Sequence, residues 1–346
     1  MGLLSRWFGR KGTAGASDSD PHRAREIVAR IVALSPPLRL ARDHEARLLT
    51  AAQQAAGYLG HIVAEMPPAR EASAAAWTTD PYIHAFFGAP ADVCVPFSRS
   101  AELLAYFDEH LAADHAFAVL GMAVDERQTF GVAQHGDSTR TDVAQTTISF
   151  SDHQVRLCGE SEAALRREIV LRIIDQLVLE GLQKIAADTQ RYDSLEHERA
   201  LLKTRLQILE RQGAGVRSLT GDAAGSNSAA TFGEAARLRA QIEENDKELA
   251  QLPLKTEALE RHLQIICDVL ASSNAHFYVL KNTYLLDALN VVVPRGDPRP
   301  AREIELRIAR LPARQDALRA FSLVRFQREN LLPARDLHER ARDLPI

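Results

Sequence analysis

Apolar residues between positions 161 and 270 recur at the spacing of a coiled-coil seam, and this stretch organises the rest of the chain. In its second half, steps of four and three residues alternate over roughly four heptads, which keeps one apolar stripe facing a partner helix. The sequence therefore predicts a long helix there. Its seam positions are Leu238, Ile242, Asn245, Leu249, Leu252, Thr256, Leu259, Leu263, Ile266 and Leu270.

The first half of the stretch carries the same repeat, interrupted at Gly181, Asp188 and Arg199. Its regular part runs from Tyr192 to Leu209, and we expect that end to pack best. The seam positions are Leu171, Ile174, Val178, Gly181, Ile185, Asp188, Tyr192, Leu195, Arg199, Leu202, Leu206 and Leu209.

A break rich in glycine, serine and alanine separates the two halves, from 213 to 233. This composition buries little apolar surface, so it predicts a flexible loop. Because closing a loop of about 20 residues costs only a few kcal/mol, the halves should fold back as an antiparallel coiled-coil hairpin. Pro253 is expected to kink the second helix, and Asn245 to set the register at a cost in stability. The alternative is that both residues are simply accommodated beside an imperfect partner.

The residues before the hairpin first show a helical period. Apolar spacing and flanking prolines predict helices over 22–34, 42–65 and 81–87. Ser100 is placed to accept a hydrogen bond from the first turn of a further helix, as an N-cap.

A period of two follows in the runs 117–124, 129–134 and 141–150, which are rich in β-branched and aromatic residues. Polar breaks at 125–127 and 135–137 separate them. The pattern predicts a three-strand antiparallel meander.

The same period returns after the hairpin. Ile304, Leu306 and Ile308 alternate with charged residues, and the run from Phe321 to Phe326 resembles a second strand. Because a two-stranded hairpin alone is marginal in water, these strands should join the meander. The segment 276–293 is ambiguous between helix and strand.

The fold class that these patterns indicate is α+β. A globular head has N-terminal helices and an antiparallel sheet of about five strands, interrupted by the long antiparallel coiled-coil hairpin. The expected organisation is a terminal segment and linker at 1–20, head residues 21–160, the hairpin at 161–275 with its tip at 213–233, and head residues 276–346.

Composition narrows the class of protein only slightly. The chain has 46% hydrophobic and 25% charged residues with a net charge of -4, which is typical of a soluble protein with two domains. Abundant alanine and arginine with scarce lysine favour a bacterial source. Cys94, Cys158 and Cys267 are far apart and odd in number, so we expect reduced thiols in a cytoplasmic protein. No apolar run approaches the roughly 20 residues that span a bilayer.

The first eleven residues have the make-up of a weak interfacial anchor. On a helix, Leu3, Leu4, Trp7 and Phe8 share one face and the basic residues lie away from it. The polar linker at 12–20 would tether this anchor. The sequence thus predicts a cytoplasmic protein that is a candidate for peripheral attachment to the inner membrane. The alternative is a disordered or core-docked N-terminus.

No motif for catalysis or cofactor binding occurs. The chain lacks GxxxxGK[ST], GxGxxG, GxSxG and DxDxDG runs. In the acidic cluster around Asp108, His110 and His115 stand five residues apart, about 140° around a helix, so they do not share a face as a zinc pair does. No catalytic, cofactor or metal residues are predicted, and we expect a protein that is not an enzyme.

The region after Pro294 has twelve arginines, eight carboxylates and no lysine. A guanidinium group matches both phosphate and carboxylate, so Arg307, Arg319, Arg325 and Arg328 are candidates for binding an anion. The alternative is a solvated face of mixed charge.

The function that these features favour is a non-enzymatic scaffold or adaptor. The hairpin would bind a protein partner or a second copy of the chain. Phosphate or nucleic-acid binding through the C-terminal arginines is the alternative from another class, and an enzyme with a site in the head is a third. The expected interaction residues lie on the seam near the tip: Tyr192, Leu195, Leu202, Leu206, Leu209, Leu238, Ile242 and Leu249.

Overall fold

The computed structural model describes residues 21–135, 138–220, 225–251, 258–297, 299–311 and 314–333. The chain divides into two compact units. The first unit comprises residues up to 27, 51–177 and from 270 onward, and the second comprises 28–50 and 178–269.

The helices described before the sheet include four that local signals predict and two short ones that they do not. They are α1 (Pro21–Leu34), α2 (His44–Ala64), α3 (Ala76–Thr79), α4 (Pro81–Phe86), α5 (Cys94–Arg99) and α6 (Ala101–Glu109). The predicted cap is confirmed, because the Ser100 hydroxyl accepts from the Leu103 N–H at 3.2 Å. Asp80 caps α4 in the same way, accepting from the Tyr82 N–H at 2.8 Å.

Five long strands form an antiparallel sheet in the order β3, β2, β6, β5, β4, and a two-residue strand, β1, pairs in parallel with β6. The strands are β1 (Arg70–Glu71), β2 (His115–His135), β3 (Ser138–Gly159), β4 (Val279–Leu286), β5 (Arg302–Leu311) and β6 (Arg314–Gln327).

The helices that follow β3 are α7 (Glu162–Thr220), α8 (Gly225–Gln251), α9 (Ala258–Ala271) and the short α10 (Ser273–His276). Strands on both sides of these helices belong to one sheet, since β2 pairs with β6 from His115 to Ala123. The predicted α+β fold, with a helical hairpin inserted into it, is therefore confirmed.

The strands before the hairpin differ from the prediction. The meander of three strands is wrong, because β2 and β3 are two long strands that pair from Phe117 with Gly159 to His135 with Ser138. The polar run 125–127, predicted as a break, continues β2. The part of β2 beyond Ala123 forms a ribbon with β3, and its residues from Glu126 to Phe130 are exposed, so polar side chains are tolerated there. The fifth strand is β4, from the segment that the sequence left ambiguous.

One core joins the sheet to the short helices. Isolated bridges, Thr147 to Val291 and Leu286 to Val292, connect the β3 and β4 ends, so the sheet curls. Alternate residues of β2 face helices α3–α6 in a continuous cluster. At its centre the Phe97 and Phe326 rings stack with centroids 4.5 Å apart. The burial of these large side chains supplies the main driving force for folding of the first unit.

The side chain of Arg166, on α7, binds the carbonyl oxygens at the C-terminal end of α2. Its guanidinium donates to the carbonyl oxygens of Val63, Met66 and Pro67 and pairs with Glu162 at 2.7 Å. The last carbonyls of a helix have no partner within the helix, so these bonds satisfy groups that would otherwise be left unpaired.

Candidate interaction surface of the helical hairpin

Ion pairs between α7 and the returning helices show that the hairpin is antiparallel. As residue numbers rise along α7, the numbers of their partners fall from Arg261 to Glu234, and only the last pair departs from this order. The pairs are Asp188 with Arg261, Arg191 with Glu248, Arg199 with Asp246, Arg205 with Glu234 and Glu210 with Arg239, at 2.7–3.7 Å. All these side chains are largely exposed, so each pair adds less than about 1 kcal/mol and mainly fixes the register.

The burial of α7 and α8 follows the heptad repeat. Between 186 and 210, every side chain that is not exposed lies at a predicted seam position, apart from Glu196. In α8 the buried residues are Ala235, Leu238, Asn245 and Leu249, and with the half-buried Ile242 they follow one another in steps of three and four. One stripe of each helix therefore faces the hairpin interior, as the sequence predicts.

The prediction that the tip end packs best is wrong. Val178, Gly181 and Ile185 are buried near the base, whereas the seam from Tyr192 to Leu209 is only half-buried. The reason is that the second unit also contains residues 28–50, which the sequence analysis assigned to the head. Arg47 in this segment pairs with Glu260 of α9 at 2.9 Å. The base thus has more helical segments to cover its seams, and two helices alone cover only one stripe each.

Asn245 occupies the seam of α8 at 6% exposure, and its Oδ1 is buried with no hydrogen-bond partner among the described residues. A buried carbonyl oxygen without a donor costs about 1–3 kcal/mol. Asn245 lies on the same seam as the buried Leu238 and Leu249. A loss of stability from a polar residue at such a position is expected if that residue specifies the register of the two helices.

Between 186 and 210, two large apolar side chains of α7 lie outside the seam and are exposed. Leu201 is 59% exposed and Ile208 is 52% exposed. Residues seven apart share a helical face, and this face lies about 100° away from the nearer seam positions, Leu202 and Leu209. The sequence analysis missed these residues, although their heptad spacing outside the seam was a readable signal.

The four candidate anion-binding arginines do not form one group. Arg319 bonds to the carboxylate and carbonyl of Asp152, and Arg328 donates to the carbonyl oxygens of Phe107 and Leu111. Both guanidinium groups are thus engaged within the first unit.

Arg307 and Arg325 lie on β5 and β6 and differ from this pair. Arg307 is close to Glu305, with Nη2 2.9 Å from Oε1. In the part of the chain that the structure describes, the buried Nε atoms of Arg307 and Arg325 have no acceptor. Nucleic-acid or phosphate binding by the wider C-terminal region remains a prediction.

The three cysteines are free thiols, one buried and two half-buried. Burial raises the pKa of the Cys158 thiol to about 12, so this cysteine stays protonated at neutral pH. Within the described part of the chain, no three residues among histidine, cysteine, aspartate and glutamate are grouped to hold a metal ion. His110 stacks on Tyr106, with ring centroids 4.5 Å apart.

His153 should make the protein less stable in mild acid. Burial lowers its pKa, and its Nε2–H donates to the Phe86 carbonyl at 2.8 Å while the ring stacks on Phe87. Because the folded pKa lies below the unfolded value of about 6.5, its contribution is complete above pH 6.5 and is lost as the pH falls through the folded pKa. We expect the melting temperature to fall as the pH drops below about 6.5, and His153→Gln to flatten that fall.

The measurement is calorimetry of both proteins across this pH range. His262→Gln is the comparison, because burial lowers the pKa of His262 as well. The paired carboxylates Asp152 and Glu162 have lowered pKa values and contribute only at more acidic pH. An unchanged slope in His153→Gln would contradict the assignment.

Several predicted features lie outside the described residues. These are the anchor candidates Leu3, Leu4, Trp7 and Phe8, and the proposed kink at Pro253. The predicted flexible loop at 213–233 is wrong in its extent, because α7 continues to Thr220 and α8 begins at Gly225. The side chains from 211 to 232 lie outside the description. Among the helices that are described, none has the length and apolar character needed to cross a bilayer.

No protein-family model, curated protein or solved structure matches this chain. Function is therefore argued from the geometry of the protein itself.

Proposed function

We propose that this protein is a non-enzymatic adaptor whose helical hairpin binds a protein partner along the outer face of α7. The observation that carries the proposal is the exposure of Leu201 and Ile208, one heptad apart and outside the seam. Large apolar side chains aligned on one helical face are a common feature of protein-binding helices.

The α8 helix cannot cover this face. A helix that packs against α7 in a two-helix hairpin covers the seam positions, such as Leu202 and Leu209, and a face about 100° away stays in water. Covering Leu201 and Ile208 requires a further helix or another surface. The half-buried seam beside them adds apolar area that the same partner would bury.

The charges around the face favour a partner helix of mixed composition. Arg205 lies between Leu201 and Ile208 in sequence and pairs with Glu234 at 2.7 Å, and Glu210 pairs with Arg239 at 2.7 Å. These pairs leave the rim polar but with little net charge, so apolar contact provides most of the expected affinity. We therefore expect an amphipathic helix with apolar residues at heptad spacing, supplied by another protein or by a second copy.

The test is the double variant Leu201→Glu and Ile208→Glu. Two charges on this face should abolish partner binding or self-association, because a buried carboxylate without a partner is costly. The oligomeric state is measured by sedimentation velocity, and partners by crosslinking of tagged protein in cells followed by mass spectrometry.

Ala200→Glu and Gln207→Glu provide the matched control. These residues are exposed, also seven apart, and lie on another face of α7. The control adds the same charge and should keep the interaction, and circular dichroism should show equal helix content in both variants. If the Leu201 and Ile208 variant keeps every crosslinked partner and the same sedimentation profile, the proposal is wrong.

A further inference from the structure

The outer edge of β2 is open beyond Ala123. From His115 to Ala123 this edge pairs with β6, and the last pair joins Ala123 to Arg319. From Val124 to His135, the only strand that pairs with β2 among the described residues is β3, on the opposite edge. The backbone N–H and C=O groups that point away from β3 therefore form a template on which a further strand can pair.

This edge is also regular. Three irregularities interrupt the pairing of β2 with β3, and at each of them β3 has one residue more than β2. Asp152 and Leu157, at two of these places on β3, have a positive φ. Since the extra residues lie in β3, no bulge bends β2, and its outer edge is continuous.

The sequence of this edge has few of the features that block strand pairing. Exposed edges in proteins are usually protected by prolines, lysines or bulges. Residues 124–135 include neither proline nor lysine, and their acidic and basic residues are confined to 125–127. Arg127 pairs there with Asp125 at 2.6 Å, so these two charges offset each other. The stretch 128–134 has no charged residue, which favours pairing with another strand.

Phe130 places a large apolar side chain on the open edge. It lies opposite Ala144 of β3, and 79% of its surface is exposed. A two-stranded ribbon is marginal in water by itself, and an exposed ring contributes little to its stability. A further strand beside β2 would cover the ring and pair the free backbone groups. An aromatic residue opposite Phe130 would gain most from this contact.

A second copy of the chain provides such a strand. When a twofold axis perpendicular to the sheet relates two antiparallel strands, the residues opposite each other are both odd-numbered or both even-numbered, because their side chains share a face. An axis at Phe130 places this residue opposite its own copy and pairs 125–135 along the whole edge. The charged residues 125–127 then face 133–135, which contain no aspartate, glutamate, lysine or arginine. An axis at 126 or 127 would instead oppose like charges.

We infer that two copies of this chain join through the outer edges of their β2 strands, antiparallel, with Phe130 on the twofold axis. The two ribbons then form a four-stranded sheet in the order β3, β2, β2, β3. About ten backbone hydrogen bonds cross this interface, as many as in a typical protein–protein interface. This inference does not depend on the hairpin, because β2 and α7 present separate surfaces.

The first experiment is sedimentation velocity of the full-length protein at concentrations up to about 100 μM. We expect a dimer of the wild type and at least about tenfold weaker association of Phe130→Lys, because two lysines would meet on the axis and a lysine on an edge blocks pairing. Leu289→Lys is the matched control. Leu289 is also 79% exposed but lies in the turn after β4, so this variant should associate like the wild type.

The same comparison in the Leu201→Glu and Ile208→Glu background separates this interface from association through α7. There the dimer should persist, and Phe130→Lys should still weaken it. The inference is overturned if the protein in this background is a monomer at about 100 μM, or if Phe130→Lys associates as strongly as its parent. Loss of the dimer in the α7 variant alone would thus favour the hairpin surface and overturn the β2 edge.

A disulfide crosslink tests the register. Residues opposite each other in an antiparallel pair have Cα atoms about 4.5–5.5 Å apart, so Phe130→Cys should form a covalent dimer when diamide oxidises it. Gln128→Cys is the control, since Gln128 is exposed on the same face but would lie four residues, about 13 Å, from its own copy. The wild type, with its three free cysteines, gives the background. Crosslinking of Phe130→Cys at the background level, or equal crosslinking of both variants, would overturn the inference.

Discussion

Replacing Phe97 with alanine should lower the free energy of unfolding of the first unit by about 3–5 kcal/mol. The side chain is fully buried, and its ring stacks on Phe326 at an interplanar angle of 5°. The substitution removes most of the ring contacts between α5 and β6 and leaves a cavity that the surrounding strands cannot fill. Urea unfolding, followed by the fluorescence of Trp77 in a Trp7→Phe background, measures this unit directly.

Phe97→Leu is the control for this change. It keeps most of the volume and should cost clearly less than alanine, since volume-conserving apolar exchanges are tolerated best. Trp77 reports on the same core because it packs against it and its Nε1–H donates to the Phe87 carbonyl at 2.8 Å. A loss below about 1 kcal/mol in Phe97→Ala would contradict the described core.

Gly181→Leu should destabilise the second unit by about 1–3 kcal/mol. A Cβ at Gly181 would already lie 3.2 Å from Ile266 Cγ1 and 3.6 Å from Ile266 Cα. A larger side chain must displace α9 from α7, because the backbone of α9 cannot rotate away as a side chain can. Thermal unfolding followed by circular dichroism at 222 nm reports the loss of helix.

The matched control is Gly57→Ala in α2. A Cβ added at Gly57 meets no atom within 4 Å, so the gain in helix propensity should raise stability by about 0.5–1 kcal/mol. A loss of stability in Gly181→Leu together with a gain in Gly57→Ala would show that the close approach of α7 and α9 requires Gly181. Equal or greater stability of Gly181→Leu would exclude that approach.

Local signals in the sequence were sufficient for four of the helices before the sheet, but they gave no prediction for the short α3 and α5. Ser100 caps α6 in the structure, and α1 and α4 begin and end within one residue of their predicted bounds, since prolines and cap residues act on the adjoining turn. The heptad repeat also predicted the buried stripe of the hairpin, because its period directly determines which side chains face the partner helix.

The strands were predicted less well because their pairing is not local. The sheet has five long strands, as expected, but they are not the same five segments that the sequence predicted. The polar residues 125–127 resemble a turn, because the sequence does not show that they lie on an exposed two-stranded ribbon. In β4, apolar and polar residues alternate too weakly to distinguish a strand from a helix. The two-residue β1 has no recognisable pattern in the sequence, and it is a strand only because it pairs with β6.

The candidate sites depend on three-dimensional neighbours to different degrees. The sequence predicted interaction residues on the seam and could not show that the seam near the tip stays half-buried. Charge count alone could not separate Arg307 from Arg319, which pairs with Asp152.

The pairing of β2 with β6 has a consequence for synthesis on the ribosome. After β3 ends at Gly159, the hairpin and two more strands must be translated before β6 is complete at Gln327. At about 5–20 residues per second, this takes roughly ten to thirty seconds. During that interval the edge of β2 has no partner, so the nascent sheet is exposed to wrong pairing or to chaperones until its last strand emerges.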